Sequence, residues 1–149
     1  MRAGRQRAQE GMTLVEVLVA LVILGVGLLG AAAFQLNALK YTDSARMTSQ
    51  ASFIAYDLMD RIRANAAADY TIAPPTSGNP DVTRDQDLFD FNTNIVSSLG
   101  ASATGSVTVS QKVYTITITW DDSRAAKAAD SRRNFVLSSR ADIDPTVIP

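Results

Sequence analysis

From Leu14 to Phe34 the chain is apolar almost without interruption, LVEVLVALVILGVGLLGAAAF, and Glu16 is its only charged residue. A run of roughly 20 apolar residues is what a helix needs to cross about 30 Å of hydrocarbon, so the pattern predicts a membrane-spanning helix. The preceding head, MRAGRQRAQEG, carries Arg2, Arg5 and Arg7 against Glu10. The positive-inside rule then puts the head in the cytoplasm and everything after Phe34 across the membrane. In a secretory signal the apolar stretch lies before a small-residue cleavage site and is discarded. A cut at Gly11 would instead leave the apolar stretch on the mature chain.

Helical periodicity continues past the apolar run. No Pro or Gly occurs between Gln35 and Asn65, and Met47, Ala51, Ile54, Leu58 and Ile62 recur at intervals of three or four, which marks one apolar helix face. Asp57 and Arg61 are four apart and can pair on the helix surface. Residues 66–104 read as a long connection, broken by Pro74, Pro75, Gly78 and Pro80. Within it Leu88, Phe89, Phe91, Ile95, Val96 and Leu99 are apolar enough to pack under a sheet, with a short helix ending before Gly100. Asp85, Asp87 and Asp90 suggest a calcium loop but lack the glycine and final glutamate of an EF-hand, which favours a solvated turn.

Beyond Gly105 the period changes to two. Val107 and Val109 alternate within Ser106 to Ser110, and Tyr114, Ile116, Ile118 and Trp120 share one face of a second strand opposite Thr115, Thr117 and Thr119. A hairpin near Gln111 and Lys112 joins them. Asn134 to Ser139 adds a third antiparallel strand after the polar, Ala-rich Asp121 to Arg133, and Asp142 to Pro149 reads as an irregular tail. A sheet with one apolar face needs a cover, which the second half of the long helix supplies. The expected class is α+β, with Trp120 in the core.

Composition narrows the chemistry. Removing Arg2, Arg5, Arg7 and Glu10 from the 14 basic and 15 acidic residues leaves 11 and 14, a slightly acidic balance without a nucleic-acid footprint. Cys and His are absent, so no disulfide forms, and the commonest general base, the thiol nucleophile and most transition-metal ligand sets are missing. Adjacent Asp121 and Asp122 look like a turn after a strand, and the serines have no visible partner. The expectation is a non-enzyme without a cofactor, metal or small-molecule substrate. Gly25-x-Gly27-x-x-Gly30 satisfies a dinucleotide-binding pattern but lacks its strand–turn–helix context. Small residues such as Gly27 and Ala31 are better suited to close helix approach.

Glu16 is the exception within the apolar run. A carboxylate inside a membrane helix is costly and tends to mark function or pairing, although two residues into the run it could also snorkel to the headgroups. Gly11 followed by Met12-Thr13-Leu14-Val15-Glu16 and an apolar helix resembles the signal of type IV prepilins and secretion pseudopilins. Gly25 to Leu39 and Ala51 to Asn65 are similar to minor pilins of the PilV kind. The resemblance implies a pilin-like fold, a long N-terminal helix packed on a small antiparallel sheet. It implies a cleaved leader at 1–11, a transmembrane or filament-core helix at 12–34, an amphipathic continuation at 35–65 and a globular head at 66–149.

The resemblance also implies that a prepilin peptidase cuts after Gly11 and methylates the new amine of Met12, and that Glu16 attracts the N-terminal amine of a neighbouring subunit. Met12 stands where Phe is commonest. The implied function is a minor subunit of the type IV pilus that initiates or primes assembly, possible at the tip, in support of twitching motility and adhesion. Its implied partners are other minor pilins, the major pilin, the peptidase and the inner-membrane assembly platform. It would reside in the bacterial inner membrane with a periplasmic head and then in the pilus at the cell surface. A pseudopilin of a type II secretion system and a non-assembling membrane-anchored domain are the alternatives.

Overall fold

The computed structural model describes residues 12–125 and 131–141. Gly11, the rest of the leader and the tail expected to be irregular lie outside the described residues. The elements are α1 (Leu14–Ala64), α2 (Thr83–Leu99), β1 (Thr104–Ser110), β2 (Val113–Asp121) and β3 (Arg132–Arg140). The chain divides into two compact units, one ending at Leu39 and the other beginning at Lys40.

The first unit is the beginning of α1. Its opening turn is capped, because the Glu16 amide donates to Thr13 Oγ1 at 3.3 Å and to the Thr13 carbonyl at 3.1 Å. Thr13 therefore satisfies an amide that has no partner within the helix. The large apolar side chains of this unit are all exposed, and an 18-residue window of α1 has mean hydropathy 2.7 with none of it buried.

In the second unit the remaining part of α1 buries Met47, Ala51, Ala55, Leu58, Met59 and Ile62. The expected stripe is present but rotated. Ala55 and Met59 are fully buried, whereas Ile54 is half-buried at its margin. Fully buried aliphatic side chains such as Leu58 and Ile62 each stabilise the fold by about 1.5–3 kcal/mol.

The segment expected to be mainly connection contains a larger element. α2 has 17 residues, with Asp87, Leu88, Phe91, Ile95 and Leu99 buried. The prolines and Gly78 all precede Thr83, so nothing interrupts its 3.6-residue period. The helix ends where Gly100 adopts φ 104° and donates its amide to the Val96 carbonyl at 3.1 Å, a backbone geometry that glycine adopts without side-chain strain.

The sheet is an antiparallel meander in the order β1-β2-β3. Val107 pairs with Ile116, Ile116 with Leu137, and Ile118 with Phe135. This register brings the apolar positions of three strands to one face. Ile116, Ile118 and Trp120 are buried, and Phe135 and Leu137 pack at the edge of the same core. Gln111 and Lys112 form the two-residue hairpin loop with φ 50° and 63°. Positive φ at both positions gives the twist that two-residue hairpins favour. Gly105 brings β1 close to α2, since a Cβ there would stand 2.5 Å from Ile95 Cδ1 and 2.5 Å from Phe91 Cε1. The result is the expected α+β arrangement, a long N-terminal helix packed against a small three-stranded sheet.

Candidate functional site

The N-terminal segment presents Met12 as exposed, Thr13 as the helix cap and Glu16 in the first turn of α1. Thr13-Leu14-Val15-Glu16 has the T-x-x-E spacing of a capping box. That signal is legible in the sequence and gives Glu16 a local position beyond its place in an apolar run. The Thr13 half of the box is formed. The Glu16 carboxylate makes no hydrogen bond or ion pair among the described residues, so it is available to a positive group. A negative side chain also suits a helix N-terminus, where the backbone dipole is positive. Gly11, the expected cleavage position, lies outside the described residues.

Gly25, Gly27 and Gly30 all lie within α1, and a Cβ built at any of them meets nothing within 4 Å. Their helical surroundings do not form a phosphate-binding turn. Gly27 and Ala31, four apart in α1, do share one side of the helix, and small residues so placed suit close approach by another helix.

The second polar centre lies between α1 and α2. Arg61 Nη1 donates to Asp87 Oδ1 at 2.9 Å and to Asp90 Oδ2 at 3.3 Å, while its Nε donates to Asp57 Oδ2 at 3.0 Å. The expected Asp57–Arg61 pair is therefore one arm of a larger network. Tyr70 Oη donates to Asp87 Oδ2 at 2.7 Å and accepts from Asn65 Nδ2 at 3.3 Å. Both Tyr70 and Asp87 are buried. Burial, reinforced by the bond to Asp87, pushes the Tyr70 phenol up from 10.0 to about 12. The Arg61 guanidinium is held above its ordinary value, chiefly by its bond to Asp87.

These partners correct the expectation of a solvated turn at Asp85, Asp87 and Asp90. All three lie on α2, and Asp87 is committed to Arg61 and Tyr70 because burying an unpaired carboxylate is costly. No group of three or more metal-ligating side chains occurs among the described residues.

Asp122 requires a similar correction. It is buried, accepts from Ser44 Oγ at 2.6 Å and pairs with Arg133 Nε at 3.2 Å. Its backbone amide also donates to the Ser131 carbonyl. Asp122 thus anchors α1 to the β2–β3 end of the sheet. Asp121 accepts the Ser123 amide at 2.9 Å in the expected turn. Trp120 is in the core, with its indole N–H buried and without an acceptor among the described residues.

Residues 6–32 match the family model described as the prokaryotic N-terminal methylation motif. The comparisons with curated proteins and with solved structures return no significant match. The motif indicates a type IV pilin-like or pseudopilin-like protein, a structural-subunit type, and together with the exposed apolar helix it fits membrane anchoring. It covers the join at Gly11-Met12 and Glu16.

Proposed function

We propose that this chain is a minor pilin subunit of the type IV pilus that initiates or primes assembly, in support of twitching motility and adhesion. The observation that carries this reading is the methylation motif at residues 6–32 joined to a capped helix whose Glu16 carboxylate has no partner among the described residues, and to a wholly exposed apolar stretch. Gly11 is the cleavage position, Met12 the methylated terminus and Glu16 the group that pairs with a neighbouring subunit's amine. Opposite charges attract far more strongly in a low-dielectric interior than in water. Each also loses hydration, so the pairing sets register between subunits more than it adds stability.

Residues 1–11 act as the leader, 12–34 as the membrane and filament-core helix, 35–65 as its amphipathic continuation and 66–149 as the remainder of a periplasmic head. Arg2, Arg5 and Arg7 hold the leader in the cytoplasm, where a prepilin peptidase acts. The subunit waits in the inner membrane until contacts with other minor pilins and the major pilin, on the assembly platform, draw it into the filament.

The resemblance of GVGLLG, Gly25 to Gly30, and of the later part of α1 to minor pilins of the PilV kind supports the pilus over a type II secretion machine. Deletion of the gene tests that choice. Loss of pili from sheared surface fractions, with secreted enzymes unchanged, is the expected result. Loss of enzyme secretion with normal pili would assign the chain to the secretion machine.

A further inference from the structure

The sheet ends at β3. Among the described residues no other strand pairs with it beyond β2. β3 runs for nine residues, longer than the five or six of a mean strand, and holds neither Pro nor Gly. Its register with β2 is continuous, without a bulge.

The hairpin turn fixes which way the backbone of β3 points. Across a two-residue loop the closing residues, Ser110 and Val113, exchange hydrogen bonds, and in an antiparallel ladder bonded and non-bonded pairs alternate. Val113 and every second residue after it therefore turn their peptide groups to β1, while Tyr114, Ile116, Ile118 and Trp120 turn theirs to β3. Their partners in β3 are Ser139, Leu137, Phe135 and Arg133. The N–H and C=O groups of Arg132, Asn134, Val136, Ser138 and Arg140 consequently point away from the sheet. The Arg140 carbonyl agrees with this, because it accepts from Arg63 Nε at 3.5 Å.

An edge of this kind is a template for another strand, and native edges are commonly blunted by a proline, a bulge or a charge in mid-strand. The middle of β3 has none of these. Asn134, Val136 and Ser138 are uncharged, and Val136 is 51% exposed on the sheet face opposite Phe135, Leu137 and the core. The charges stand at the ends. Arg132 and Arg140 are exposed, share the face of Val136, and their side chains make no hydrogen bond or ion pair among the described residues. Asp121, opposite Arg132 in the register, instead accepts the Ser123 amide.

We propose that this edge receives an extended segment of another protein as a fourth strand, with carboxylates spaced to meet both Arg132 and Arg140. In strand addition the main-chain hydrogen bonds supply affinity and the side chains select the partner. Like charges directly opposite each other destabilise a sheet. A second copy paired in register would set Arg132 against Arg140 if antiparallel, and each against itself if parallel. The end charges thus reject self-pairing and select an acidic strand.

The test uses the full chain, purified in detergent, and two labelled, end-blocked peptides. One is Glu-Thr-Thr-Thr-Val-Thr-Thr-Thr-Glu, and the other carries Lys at both ends. The Glu peptide is expected to bind about tenfold more tightly, as two exposed charge pairs allow. In the chain alone the Asn134, Val136 and Ser138 amides are expected to exchange fast and those of Phe135 and Leu137 slowly; bound Glu peptide is expected to slow the first three. No binding, equal binding of the two peptides, or exchange that is already slow without peptide would each overturn the proposal.

Two variants separate the edge from the fold. Val136→Pro removes one outward donor and no bond to β2, a place where an edge strand tolerates proline, and is expected to abolish binding. Arg132→Glu combined with Arg140→Glu leaves the backbone unchanged and is expected to reverse the preference toward the Lys peptide. Binding of the Glu peptide that survives in both variants would overturn the proposal. Dimers of the native chain that Val136→Pro dissociates would assign the edge to a second copy and overturn it as well.

Discussion

The phenol of Tyr70 donates to Asp87 across 2.7 Å in a buried site, and the opposite oxygen of Asp87 accepts from Arg61. One carboxylate thus joins three segments: α1, the loop after it and α2. Asp87→Ala leaves a buried phenol and a guanidinium without their shared acceptor. Hydrogen bonds to charged groups are worth about 1.5–3 kcal/mol, and the half-exposed guanidinium can regain water. The expected cost is therefore about 2 kcal/mol, measured by urea unfolding of the head, with little change in insertion of the apolar helix.

The same site sets an alkaline limit. The folded protein holds the Tyr70 proton to about pH 12, against 10.0 ordinarily. Its contribution is fully present below about pH 10 and is lost as pH rises to about 12, because the unfolded chain releases the proton first. Thermal melts from pH 9 to 12 are expected to fall more steeply for the native sequence than for Tyr70→Phe. Parallel curves would contradict this assignment.

Gly105 permits the close approach of β1 to α2. In Gly105→Ala the new methyl meets Ile95 and Phe91, both buried, and overpacking of this kind costs about 1–3 kcal/mol. A lower denaturation midpoint with an unchanged m-value is expected. In Gly27→Ala, by contrast, the new methyl meets no other side chain within 4 Å among the described residues. Any loss it causes in filament assembly without loss of folding would locate a contact with another helix.

Glu16 separates assembly from folding. Glu16→Gln retains the helix and its apolar face but removes the charge, and sheared pili are expected to fall at least tenfold while membrane levels remain normal. Thr13→Ala removes the capping oxygen and is expected to destabilise the first turn by about 1 kcal/mol, read as fraying by amide exchange. Normal piliation by Glu16→Gln would contradict the role proposed for that carboxylate.

Legibility followed periodicity. The alternation from Val113 to Trp120 and the spacing from Met47 to Ile62 each describe one element facing one core, so β2 and the buried stripe of α1 were readable. The turn at Gln111-Lys112 was readable from its neighbours, although neither residue favours positive φ. The full length of α2 is masked in the sequence by the prolines before Thr83, while Leu88, Phe91, Ile95 and Leu99 keep helical spacing after them. Asp87 and Asp122 could not be placed from local sequence. Their partners Arg61 and Ser44 are 26 and 78 residues away, and only the fold brings them together. In the N-terminal site Glu16 stands out as the one charge in an apolar run, and its T-x-x-E spacing from Thr13 carries the helix cap as well.

The most direct measurement is the intact mass of the protein from purified membranes, with fragmentation to read its first residue. The expected result is a chain beginning at Met12 and carrying one additional methyl group, which would establish prepilin processing at the join after Gly11. A chain that retains Met1 to Gly11 in cells with active prepilin peptidase would contradict that processing and the filament role built on it.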